Sequence, residues 1–227
     1  QVVVSSLNQI QAGLSATPEE ASWLQTSYLI AEVIAIPLSG SLARLMSTRI
    51  YFATSAIVFT VASVFCALST TLEQMIFFRV VQGFAGGGMI PTSLAVLYVL
   101  FKDHERAKAA VFFGMITTLG PAIGPTIGGY LTDTGSWHWI FLINLIPGVI
   151  VSYVVLRLVN VDKPDWRLAL RVDWWGLIAL ALFLGGLQYV LEEGPRKDWF
   201  ENDTISTVAI IFILAALVFV YRSLTHN

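Results

Sequence analysis

AAVFFGMITTLGPAIGPTIGGYL, residues Ala109–Leu131, carries no charged side chain. A helix of a soluble domain shows a polar face, whereas this segment is apolar all round, as helices solvated by lipid are. Within it, Gly120–Gly129 crowds two prolines and four glycines into ten residues. Gly120, Gly124 and Gly128 recur at every fourth position and so stack on one helix face. That small-xxx-small spacing lets two backbones approach closely. Pro121 and Pro125, on the adjoining stripe, each remove an amide donor, free the carbonyls of Thr117 and Pro121, and favour a kink. On physical grounds alone, plain tight packing accounts for the glycines as well as a mechanical role does.

Outward from this segment the chain stays apolar: 56% of its 227 residues are hydrophobic and only 12% charged. A spanning helix needs about 20 mostly apolar residues. Spans are expected at Trp23–Ala43, Ile50–Leu68, Gln74–Phe101, Ala109–Leu131, His138–Val159, Asp173–Leu191 and Ile205–Tyr221. Seven buried helices of a soluble protein would require polar faces that these segments lack. The opening QVVVSSLNQI has neither the basic region nor the cleavage site of a signal peptide. It is expected to be the second half of another spanning helix, which makes the sequence a fragment with a truncated first helix. The fold class is therefore an all-α polytopic membrane protein.

Charge in the connections alternates. Arg44 and Arg49, then Lys102, Arg106 and Lys108, then Arg157, Lys163, Arg167 and Arg171, and last Arg222, form one set. The other set holds Arg196 and Lys197 among Glu19, Glu20, Glu73, Asp133, Glu192, Glu193, Asp198, Glu201 and Asp203. Lysine and arginine in short loops mark the cytoplasmic side, so the first set is expected inside and the acidic loops outside. Trp23, Trp137, Trp139, Trp174, Trp175 and Trp199 fall at span edges, where aromatic rings suit the headgroup region. Asn160–Val172 is polar, contains a proline and reads as a cytoplasmic linker between six spans and two.

No enzyme is expected. His104, His138 and His226 are scattered, no metal-ligand spacing occurs, and the glycine run Gly83–Pro91 lies inside a span without dinucleotide spacing. Lone Cys66 excludes an intramolecular disulfide. No cofactor and no nucleic-acid partner is expected.

The informative side chains are polar groups at membrane depth. Glu32 lies mid-span, where a charge costs about 2.5–3.5 kcal/mol on insertion scales. It is expected to face a cavity or a partner, and a carboxyl at that depth suits reversible proton binding; helix–helix glue is the alternative. Arg79 does not deprotonate and so requires an acidic or carbonyl partner, unless it snorkels to the outer interface. Gln82 shares its face at i+3. Gln25, Tyr28, Asn144 and Gln188 are candidates for a substrate path, or for interhelical hydrogen bonds worth about 1 kcal/mol each.

These residues resemble a family. Gly120-xxx-Gly124-Pro125-xx-Gly128-Gly129 is similar to the fifth-helix antiporter motif of major facilitator superfamily exporters. Arg79-xx-Gln82-Gly83 resembles their fourth-helix motif. Gly40-Ser-Leu42-Ala43 through Arg49 resembles the loop signature between the second and third helices. In that loop Arg44 stands where the family usually has aspartate, and Ser47 where it has glycine. SWHWIFLINLIPG (Ser136–Gly148), VDWWGL (Val172–Leu177) and RKDWF (Arg196–Phe200) are similar to the fourteen-spanner drug:proton antiporters of EmrB/QacA type.

The resemblance implies that residues 1–159 form the N-terminal six-helix bundle with its first helix incomplete, 160–172 the linker, and 173–227 an inserted transmembrane helix pair. It implies proton-coupled efflux of small lipophilic drugs or toxic compounds by alternating access, with the proton gradient in place of a cofactor. Arg79 would act as an electrostatic switch on a neighbouring carboxylate, Glu32 as a proton or cation site, and the glycine face as the seal of a bundle interface. It also implies the bacterial inner membrane as the location, contact with membrane lipid, and room for a periplasmic adaptor and outer-membrane channel. The competing expectations are an exporter of a metabolite or siderophore, and a non-transporting sensor or scaffold.

Overall fold

The computed structural model describes residues 2–167 and 173–225. Arg171 and Val172, at the end of the expected linker, and His226 lie outside the described residues. Among the described residues the chain is helical, without strands. Two short helices, α1 (Val2–Ser5) and α2 (Leu7–Gly13), are separated at Ser6. There follow α3 (Pro18–Met46), α4 (Thr48–Leu68), α5 (Leu72–Gly87), α6 (Met89–Leu100), α7 (Asp103–Thr134), α8 (Trp139–Leu142), α9 (Leu145–Leu158), α10 (Trp174–Glu193) and α11 (Asp203–Thr225).

Among the described residues, seven stretches are long and apolar enough to cross a membrane, and they coincide with the seven expected spans. Two are interrupted. The α5–α6 span breaks at Gly88, and the α8–α9 span breaks at the turn Ile143–Asn144. Helix α7 runs through both Pro121 and Pro125.

Local chemistry sets the ends. Thr17 opens α3 with a capping box: its hydroxyl accepts from the amide of Glu20 at 3.3 Å, and Glu20 accepts from the Thr17 amide at 2.9 Å. Pro18 follows at the first helical position, where its missing amide costs nothing. Thr71 caps α5 by accepting from the Gln74 amide.

Helix α3 packs on α4, α5 and α10, α4 packs on α5 and α9, α10 on α11, and α1 on α7. Large apolar side chains on the outer faces stay exposed, among them Phe112, Ile146 and Leu217. Such a surface is at home against lipid tails and would be a liability in water. One apolar cluster gathers Ile10, Leu24, Cys66, Met75, Trp137, Ile140 and Phe141. Trp137 therefore differs from the expected edge aromatic: it is 8% exposed, stacked on His138 and set edge-on to Phe141. Trp139 and Trp175 remain on the surface.

Candidate functional site

The residues that build the site come from α3, α4, α5 and the broken α8–α9 span. Helix α5 carries Arg79, Gly83 and Gly87 on one stripe, and this stripe faces α3. A Cβ added at Gly83 would collide with the carbonyl oxygen of Tyr28, and one at Gly87 with the carbonyl oxygen of Glu32. Only glycine permits so close an approach of the two backbones. The approach brings Arg79 to the carbonyl row of α3.

Arg79 is 6% exposed and turned inward, not snorkelling to an interface. Its Nε donates to the Leu24 carbonyl at 3.0 Å and its Nη1 to Gln82 Oε1 at 2.7 Å. Its guanidinium lies over the Tyr28 ring, 4.0 Å from the centroid. Among the described residues no carboxylate forms an ion pair with it. A carbonyl, an amide and an aromatic face thus answer the expectation of a partner for this arginine.

Gln82 passes the contact on: its Nε2 donates to Ser63 Oγ at 3.0 Å. Asn144 Nδ2 donates to the same oxygen at 3.0 Å, and Ser63 donates to the Phe141 carbonyl at 2.9 Å. Arg79, Gln82 and Ser63 are all buried.

Arg79, Gln82 and Asn144 border one cavity of about 460 Å³. Gln25, Tyr28, Glu32, Arg79, Gln82 and Asn144 all line it, with Phe59, Ile140 and Ile143 among the apolar walls. Six polar residues singled out from the sequence thus meet in one place. Glu32 is half-buried there, on the same wall as Tyr28 one turn away. Gln25 also donates to Glu192 at 3.2 Å. Gln188 does not join them; it lies half-buried on α10, away from the cavity lining.

The glycine stripe of α7 divides. Gly124 and Gly128 are buried, and Ser6 ties this stretch to the first helical segment, donating to the Gly128 carbonyl at 3.4 Å and pairing with Thr132 at 2.7 Å. A Cβ at Gly120 or Gly129 meets nothing within 4 Å, and Pro125 is exposed.

In the loop signature, Arg44 donates back to the Gly40 carbonyl at 3.2 Å and is exposed, and Arg49 is half-buried. Ser47, in the place of the family's glycine, has φ 75°. From the linker, Asp162 accepts from the Thr48 amide at 2.9 Å and the Thr48 hydroxyl at 2.7 Å. It supplies the negative group that the amino end of α4 favours.

Sequence reasoning did not single out Ser63, Thr26 or the burial of Glu193. Thr26 donates to Glu193 at 2.9 Å, and Glu193 is 3% exposed. Nothing in the sequence around Ser63 separates it from Thr54, Ser55 or Thr60 on the same helix.

A family model described as the Major Facilitator Superfamily matches residues 1–226. The chain is similar to the "Colistin resistance protein EmrB" of Acinetobacter baumannii, 51% identical over 226 residues, covering 100% of this chain and 44% of that protein. It is 33% identical over 218 residues to the "Multidrug export protein EmrB" of Escherichia coli K12, covering 96% of this chain and 42% of that protein. The chain therefore spans less than half the length of the curated relatives it matches. Its fold resembles the crystal structure of a bacterial homologue of the human lysosomal transporter Spinster, inward-facing and unoccupied. The TM-score is 0.56 at 17% identity, over 95% of this chain and 55% of that one.

Proposed function

The chain belongs to the major facilitator superfamily, and from that premise we propose that it forms part of a proton-coupled exporter of lipophilic drugs or toxic compounds. One observation carries the proposal. A single cavity of about 460 Å³ at membrane depth gathers Arg79, Glu32 and four neutral polar side chains between apolar walls. Charged groups are costly there and persist where a transported ion or solute meets them. The names of the similar proteins, which speak of colistin resistance and multidrug export, support the direction and the substrate class.

In the proposed mechanism Glu32 takes up and releases the proton, while Arg79, held on the α3 carbonyl row, biases the carboxylate between its charged and neutral forms. Proton and drug would favour different states of one bistable bundle, which is alternating access in thermodynamic terms. No cofactor takes part; the proton gradient drives the cycle. Residues 1–159 would be the bundle, 160–172 its linker, and 173–227 the inserted helix pair. The buried part of the glycine face, Gly124 and Gly128, would hold a bundle interface closed to leak. The basic loops would face the cytoplasm of a bacterial inner membrane, with an adaptor and outer-membrane channel receiving the substrate.

The test is drug-dependent proton movement by the full-length protein in proteoliposomes. Arg79→Ala should insert and lose that movement. Full proton-coupled efflux by the variant would sink the switch assignment.

A further inference from the structure

The hydrogen-bond chain beside the cavity has a fixed direction. Arginine can only donate, so the side of the Gln82 amide facing Arg79 must be its oxygen. The Gln82 NH2 group then faces Ser63, which must accept. The single Ser63 proton is spent on the Phe141 carbonyl, so Asn144 must also donate to Ser63. One hydroxyl thus uses its donor and both lone pairs at once, with no exposure to solvent. On α4, it joins Gln82 of α5 to Phe141 of α8 and Asn144 at the break between α8 and α9.

We infer that Ser63 is a positioning residue for transport, holding Gln82, and through it Arg79, in the orientation the cavity requires. Serine suits the post because its single hydroxyl bears three hydrogen-bonding directions. Asn144 enters the same junction from the broken span, so the hydroxyl also links the cavity wall opposite α3 to the arginine. The assignment rests on the exporter proposal. The titratable groups facing Arg79 are Tyr28 and Glu32 from α3 and Cys66 from α4, and the α8–α9 side presents the neutral Asn144. A change in the Arg79 pose therefore reaches the pH response through Glu32.

The experiment is the pH profile of drug-dependent proton movement by full-length protein in proteoliposomes, with inserted protein measured for each variant. Ser63→Ala should lower the maximal rate about tenfold to a hundredfold, the scale expected when a reacting group is misplaced. It should also move the midpoint of the pH profile by roughly half a unit or more. Ser63→Thr, which keeps the hydroxyl, should return both toward wild type. A wild-type midpoint in Ser63→Ala, at whatever rate, reduces the residue to packing and overturns the assignment; so does equal impairment of the threonine and alanine variants. No drug-dependent proton movement in the wild type itself would instead bring down the exporter proposal, and the Ser63 role with it.

Discussion

Ser47 holds a backbone angle, φ 75°, that side chains with a Cβ rarely adopt. Its hydroxyl accepts from the Ile50 amide at 3.4 Å, and Asp162 covers the neighbouring Thr48 amide. The strain is thus held in place by two local caps on α4. Removing the hydroxyl in two ways separates cap from strain. Ser47→Ala loses the cap and keeps the strain, whereas Ser47→Gly loses the cap and relieves it. The glycine variant should be more stable than the alanine variant by about 1–2 kcal/mol, read as a higher unfolding midpoint in detergent. Equal midpoints would mean the angle costs nothing here. At the same scale, Arg79 shows why a partner cannot be named from sequence. The requirement for one followed from charge at membrane depth, but a carbonyl 55 positions away in the chain meets it.

Among the elements, α5 and α7 use the same spacing of glycines to different ends. On α5 the stripe is filled by the α3 backbone, with the Tyr28 and Glu32 carbonyls against Gly83 and Gly87. Gly83→Ala should therefore cost about 1–3 kcal/mol, the range for overpacking a closed contact. Gly114→Ala on α7, where a new Cβ meets nothing within 4 Å, should stay within about 0.5 kcal/mol. Thermal unfolding of the two variants side by side checks the contrast, and comparable losses would show that the α3–α5 approach can relax. Periodicity says that a face is small. It does not say which helix will cover it, and on α7 only Gly124 and Gly128 of the stripe are buried.

For the whole molecule, the question is what joins α10 and α11 to the remaining helices. Trp23 stacks on Tyr189 with centroids 5.7 Å apart, and Glu193 accepts from Thr26 on α3 while pairing with Arg196 at 3.4 Å. At the other end of the pair, Arg222 grips Asp173 through both carboxylate oxygens, at 2.7–3.0 Å. Glu193→Ala would leave the Thr26 hydroxyl without its acceptor and should lower stability by about 1–2 kcal/mol. Glu193→Gln keeps an acceptor and should recover part of that loss. An unchanged unfolding midpoint in the alanine variant would assign the docking to apolar contacts alone.

The sequence by itself determined the membrane spans and their number among the described residues, although not the breaks at Gly88 and at Ile143–Asn144. Hydrophobic length and the loss of polar faces are local properties, and a backbone that must bond internally in a membrane has few other choices. It also picked out most of the cavity, because a polar side chain at membrane depth is expensive wherever it points. Tertiary structure alone decided which of those groups meet. Gln25, Tyr28, Glu32, Arg79, Gln82 and Asn144 converge, while Gln188, equally polar, does not. It alone exposed Ser63, Thr26 and Glu193, whose importance lies in partners 19 to 171 positions distant. A serine costs little in a helix of any environment, so only the groups packed around it reveal that its hydroxyl is fully used.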